Sequence, residues 1–223
     1  MKDIAFYGAG GFGREVLSLV KNLNENEPKW NILGFFDDNT QKFKKGDLVN
    51  GIPVLGNIDD LNGWKKEISV AICSGNSASR NGIFKRITNP LVSFPTLIHP
   101  SVWIGDPEYV SIGNGCIICA GVQITNNVKI GDFVLLNLQC TVGHDAIIGN
   151  FSSFMPSVNI SGGVETEEGV YVGTGAKIVN SLTIGEYAIV GAGAVVAKSL
   201  PPQCTAVGVP AKPIKFNEKK QGF

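Results

Sequence analysis

Two places in this chain combine chemically useful residue types at a useful spacing. The first is His144-Asp145. A carboxylate beside an imidazole raises its basicity and helps to fix its tautomer, which is what a general base needs. The only other histidine, His99, precedes Pro100 at a change of composition and reads as structural. Two histidines cannot make a zinc centre of three histidine ligands, and no metal is expected. The second place is Gly8-x-Gly10-x-x-Gly13, set between a predicted strand (Ile4 to Tyr7) and a predicted helix from Arg14. Glycines there permit a tight turn and let a phosphate approach backbone N–H groups at a helix N-terminus. Asp37 and Asp38 follow a second predicted strand (Ile32 to Phe36). Asp37 lies 24 residues beyond Gly13, where an acidic group could bind a ribose hydroxyl. Gly75, Asn76 and Arg80 follow a third strand (Ser69 to Ser74) at the same end of the sheet. The alternative to a ligand site is packing: a glycine turn seating helix on sheet, and a capped helix with an exposed arginine.

What must position His144 is a repeat. Every sixth residue from Ile118 to Val196 is apolar except Thr166, and four residues after each comes a second small or aliphatic one, from Val122 to Leu200. Neither the helical period of 3.6 nor the strand period of 2 gives this. It fits short strands stacked around a triangular prism, one hexad per face, and about 17 hexads make between five and six coils. The phase puts Val142 and Ala146 inside, so His144 projects outward. The first 95 residues differ, with strands and helices alternating as in a small parallel α/β sheet. The expected organisation is an α/β domain over 1–95, stacked coils over 96–202, and a tail over 203–223 carrying the GVPAKP turn and the cation Lys212.

Composition narrows the function classes. Nineteen Lys and Arg balance nineteen Asp and Glu, so no net field recruits nucleic acid or an anionic membrane. No apolar run approaches the ~18 residues of a membrane span. MKDIAFYGAGG reads as a first strand rather than a signal peptide. Five cysteines without framework spacing point to reduced thiols and a cytoplasmic protein. Cys116-x-x-Cys119 has redox or metal spacing, but Cys116 falls on an inward position and no second pair exists.

Hexads of this form, closed by GVPAK, resemble the hexapeptide-repeat acyltransferases. GAGGFG, FFDD, the Gly75-Asn76 turn and the spacing from Asn137 to His144-Asp145 narrow the resemblance. It is to the nucleotide-sugar acetyltransferases of the sialic acid O-acetyltransferase and bacillosamine N-acetyltransferase group, and covers essentially the whole chain. The resemblance implies a Rossmann-like βαβ domain followed by a left-handed parallel β-helix. It also implies a homotrimer with active sites between subunits, acetyl-CoA as cosubstrate, and a role in surface polysaccharide or glycan precursor synthesis. His144 would be the base and Asp145 its partner. Gly10, Gly11, Phe12, Asp37, Asp38, Gly75 and Asn137 would bind the nucleotide sugar. Ser153, Gly162, Thr174, Ala192 and Lys212 would bind the coenzyme. Ser153 and Phe12 stand where relatives carry histidines. The activity implied is acetyl transfer to the amine of a nucleotide-linked 4-amino sugar. The alternatives are O-acetylation of a sugar such as sialic acid, and a non-catalytic nucleotide-sugar-binding scaffold.

Overall fold

The computed structural model describes residues 1–216. The chain divides into two compact units, Met1–Gly75 with Ser79–Leu97, and Asn76–Ala78 with Ile98 onward.

The first unit is built on β1 (Lys2–Tyr7), α1 (Gly11–Asn26), β2 (Trp30–Phe36), β3 (Leu48–Val49), β4 (Ile52–Gly56), α2 (Ile58–Asn62), β5 (Ile68–Ile72), α3 (Ser77–Arg86, whose Ser77 and Ala78 belong to the second unit) and β6 (Val92–Ser93). The sheet order is β3-β4-β2-β1-β5-β6. All neighbours pair parallel except β3 with β4, a hairpin turned at Asn50-Gly51, both with positive φ. β1 lies between β2 and β5, and its residues Ile4, Ala5 and Phe6 have no exposed surface. Crossovers therefore leave β1 in opposite directions. That is the switch point at which open α/β sheets bind ligands beyond the carboxyl ends of their strands.

The second unit is a left-handed parallel β-helix. Parallel crossovers are otherwise right-handed in nearly all proteins. Its strands, each of two residues except the last two, stack into three sheets of eight, six and five strands. One coil is visible in Leu135–Leu136 on the first face, Thr141–Val142 on the second and Ile147–Ile148 on the third. Each pairs in register with the strand 18 residues on. Every sixth residue from Ile118 to Val196 is buried, Thr166 included, and so is every residue of the second set except the half-buried Leu182. Interior polar groups must find partners. Thr166 Oγ1 accepts from the Gly149 N–H at 3.2 Å, and Ser152 Oγ donates to the Glu167 carbonyl at 3.2 Å.

A second six-residue period lies in the backbone. Every sixth residue from Gly115 to Gly193 has φ between +51° and +73°, each at a prism corner. Asp145, at φ +60°, is one of them. Asp and Asn tolerate this left-handed conformation better than most residues.

The segment from residue 203 caps the coils as two further strands. Cys204–Gly208 adds to the first face parallel to Ile189–Val190, and Ala211–Phe216 folds back antiparallel on it. Cys204 and Ala206 have no exposed surface, so the segment closes the core. Residues 217–223 of the expected tail lie outside the described residues. No described helix is long and apolar enough to cross a membrane.

Candidate active site

In the first unit the glycine loop, Asp37-Asp38 and Gly75 follow β1, β2 and β5, three adjacent strands. The glycines differ in what surrounds them. A Cβ at Gly13 would lie 1.9 Å from the Gly8 carbonyl oxygen, and one at Gly8 would lie 2.9 Å from the Cys73 carbonyl oxygen. These two are packed backbone. A Cβ at Gly10 would meet nothing within 4 Å, and one at Gly11 only the end of Arg14. Gly10 is the N-cap of α1, which has neither a side-chain cap nor an acidic residue in its first turn. No side chain of its own first turn caps the leading N–H groups, and Phe12 beside them is half-buried.

Asp37 is occupied by the loop itself. Its Oδ2 accepts from the Ala9 N–H at 2.7 Å and its Oδ1 from the Asn39 N–H at 2.8 Å. It thus ties the end of β2 to the glycine turn. Asp38 accepts from Arg86 Nη1 at 2.8 Å and from the Ile58 N–H at 3.3 Å. Burial opposes ionisation of Asp38, but the bond from Arg86 and the nearness of the Tyr7 hydroxyl outweigh that and hold the carboxyl below its ordinary range. The Tyr7 hydroxyl is buried without good hydrogen-bond geometry to any described residue. Burial, and then Asp38, push its pKa far up, so it stays neutral. Gly75 is half-buried, one residue after Ser74, whose carbonyl accepts from Arg80 Nη1 at 2.6 Å. Arg80 is only 2% exposed, so it is not the exposed arginine of the packing alternative.

In the second unit His144 and Asp145 turn the corner from the second face to the third. Their side chains are 70% and 58% exposed, while Val142 and Ala146 on either side have no exposed surface. His144 Nδ1 lies 2.8 Å from Asp145 Oδ2. The imidazole bond first, and then one from Asn127, hold the Asp145 carboxyl below its ordinary range. An ionised carboxylate only accepts, so the ring proton belongs on Nδ1 and the Nε2 lone pair is free to take a proton.

The remaining predicted residues separate by corner. Gly162 is one coil beyond His144 on the same corner, and a Cβ there would lie 2.6 Å from His144 Cε1 and Nε2. Asn137, Thr174 and Ala192 stand on the turns from the first face to the second. Asn137 is buried and its Oδ1 accepts from the Leu138 N–H at 2.7 Å. Thr174 and Ala192 are exposed. A groove of about 340 Å³ on this corner is lined by Ala120, Gly121, Leu138, Gln139, Pro156 and Ser157. Lys212 is exposed on the last strand, opposite Val207. The expectation that Ser153 touches the acetyl donor does not fit its position. Ser153 has no exposed surface, and its hydroxyl accepts from Ser77 Oγ at 3.1 Å.

A cysteine nucleophile has no place in this arrangement. All five cysteines are free and buried, and burial pushes the Cys140 thiol up to about 11. The thiolate is the reactive form. The folded protein should therefore take up no iodoacetamide at pH 8 by intact mass, and the unfolded protein five equivalents.

Sequence reasoning missed Asn127, Tyr7 and Arg86. Asn127 was findable, because it stands 18 residues before Asp145, one full coil.

The fold and the site define a hexapeptide-repeat acyltransferase carrying an N-terminal α/β unit. Residues 3–87 match the PglD N-terminal domain family. The GDP-perosamine N-acetyltransferase of Escherichia coli O157:H7 is 35% identical over 180 residues, 80% of this chain and 78% of the relative. The acetyltransferase domain of PglB from Neisseria gonorrhoeae FA1090, solved with acetyl coenzyme A, superposes with a TM-score of 0.85 at 31% identity, covering 96% of this chain and 99% of that one. PerB from Caulobacter crescentus, solved with CoA and GDP-perosamine, gives 0.85 at 27% identity over 96% and 98%. The chain belongs to the hexapeptide-repeat nucleotide-sugar acetyltransferases, the group of PglD-like and perosamine N-acetyltransferases.

Proposed function

We propose that this protein transfers the acetyl group of acetyl-CoA to the amine of a nucleotide-linked amino sugar, with His144 as the base. The observation that carries this reading is the outward His144-Asp145 pair, bonded at 2.8 Å through Nδ1. The sugar amine attacks the thioester carbonyl, and a C–N bond forms. His144 Nε2 takes the proton the amine must lose. The C–S bond then breaks, and the proton passes from the imidazole to the departing sulfur. Proton transfer by a placed base contributes ~10²–10⁴-fold.

The first unit supplies nucleotide recognition in this reading. Open space over Gly10 and Gly11 lets phosphate oxygens reach the leading N–H groups of α1. Asp38 and Gly75 flank that loop on the neighbouring strand ends, and Asp37 holds it in shape. The relatives solved with CoA and with GDP-perosamine support both substrates. Thr174, Ala192 and Lys212 are the coenzyme contacts of the proposal, and Asn137 the sugar contact. Thr174 and Ala192 stand on a different corner from His144 within one chain. A homotrimer that brings one copy's coenzyme corner to the next copy's His144 completes the site.

A panel of UDP-, dTDP- and GDP-linked 4-amino sugars with acetyl-CoA, read by thiol release, tests the proposal. At least one of these should turn over, and free sialic acid should not. Thiol release with sialic acid alone would make the protein an O-acetyltransferase. Acetyl-CoA at a hundred times its Kd should also raise thermal stability, by about 2.7 kcal/mol. A response to nucleotide sugars but none to acetyl-CoA would make it a binder only.

A further inference from the structure

The His144-Asp145 pair is held from the coils on both sides. One coil before, Asn127 Nδ2 donates to Asp145 Oδ1 at 3.1 Å. Asp145 Oδ2 is the oxygen facing His144, so Asn127 and His144 bind opposite oxygens of one carboxylate. Asn127 and Asp145 both occupy the left-handed corner position, at φ +58° and +60°. The coil repeat therefore places the amide over the carboxylate. One coil after, Gly162 lies against the imidazole. A Cβ there would stand 2.6 Å from Cε1 and Nε2 and 3.0 Å from Nδ1. The Gly163 N–H also donates to the His144 carbonyl at 2.7 Å, so the two turns are fixed to each other.

We infer that Asn127 and Gly162 are positioning residues for the base. Asn127 fixes the rotamer of Asp145, and Gly162 is the flat seat on which the His144 ring lies with Nε2 aimed outward. This role for Gly162 differs from a coenzyme contact, and the inference rests on His144 being the base. The His144 side chain is 70% exposed, so its restraint rests on that seat and that partner.

The test uses the full-length enzyme and measures kcat and KM for both substrates. Gly162→Ala pushes only the ring, which can swing into solvent, so the folded protein and its thermal midpoint should be retained. Its kcat should fall about a hundredfold, the scale of an ångström-sized misplacement, with both KM values unchanged. Asn127→Gly removes the amide without strain at a positive φ. It should lower kcat about three- to tenfold, a modest effect because the pair is exposed. Asn127→Asp keeps the shape but sets a second carboxylate against Asp145, and should lower kcat further. A raised KM for acetyl-CoA at unchanged kcat in Gly162→Ala would make Gly162 a coenzyme contact and overturn its seating role. Unchanged kcat in both Asn127 variants would overturn that part. His144→Ala run alongside separates the two levels. If it retains turnover, the base assignment fails. If it is inactive while all three seat variants match wild type, only the seat fails.

Discussion

His144→Ala should lower kcat by ~10²–10⁴-fold while leaving the fold and the affinity for nucleotide sugar intact. The fold is insulated because the side chain is 70% exposed and the neighbouring interior residues, Val142 and Ala146, are untouched. Affinity is insulated because the glycine loop, Asp37 and Asp38 belong to the other unit. His144→Asn is the sharper variant. Its Nδ2 can stand where Nδ1 stands and keep a donor for Asp145 but has no lone pair of useful basicity, so it should be as inactive as alanine. Stopped assays of thiol release, with nucleotide-sugar binding measured by calorimetry, check both. Wild-type kcat in either variant would remove His144 from the mechanism. A loss confined to KM would make it a binding residue.

The part of this site that was legible came from the hexad phase. An inward position must be apolar or have its polar atoms satisfied, so the period survives in residue types, and Thr166 and Ser152 are exceptions with bonded hydroxyls. That phase separated His144 from the core. The corner period was not legible, because its positions carry Gly, Asn, Phe, Gln, Asp, Ser and Tyr. What they share is a backbone angle, which several residue types satisfy, so Asn127 could be placed only by counting one coil of 18 residues back from Asp145. Ser153 was placed by the resemblance and not by the phase, and a resemblance carries no burial: the residue has no exposed surface, and Ser77 donates to its hydroxyl. The hairpin of β3 and β4 went unread although Asn50-Gly51 is a strong turn signal. Its strands are too short to show alternation.

The glycine loop makes a second prediction of comparable size. Gly8, Gly10 and Gly13 look alike in sequence, but the structure assigns them different reasons. Gly13→Ala would put a Cβ 1.9 Å from the Gly8 carbonyl oxygen. That obstacle is backbone, at the end of a strand paired on both sides with β2 and β5, and it cannot swing aside. Overpacking of this kind costs about 1–3 kcal/mol or more. Part of the relief must come from moving the start of α1 off the turn, which breaks the Ala9 to Asp37 bond. The expected result is loss of nucleotide-sugar binding and a lowered first thermal transition, with the β-helix still folded by circular dichroism. Gly10→Ala meets nothing within 4 Å and should leave stability unchanged. Any loss it causes should appear in nucleotide-sugar affinity alone, because the space it fills is the space proposed for phosphate. If Gly10→Ala binds nucleotide sugar as wild type does, the loop is only a packing turn, and recognition must come from elsewhere in the first unit.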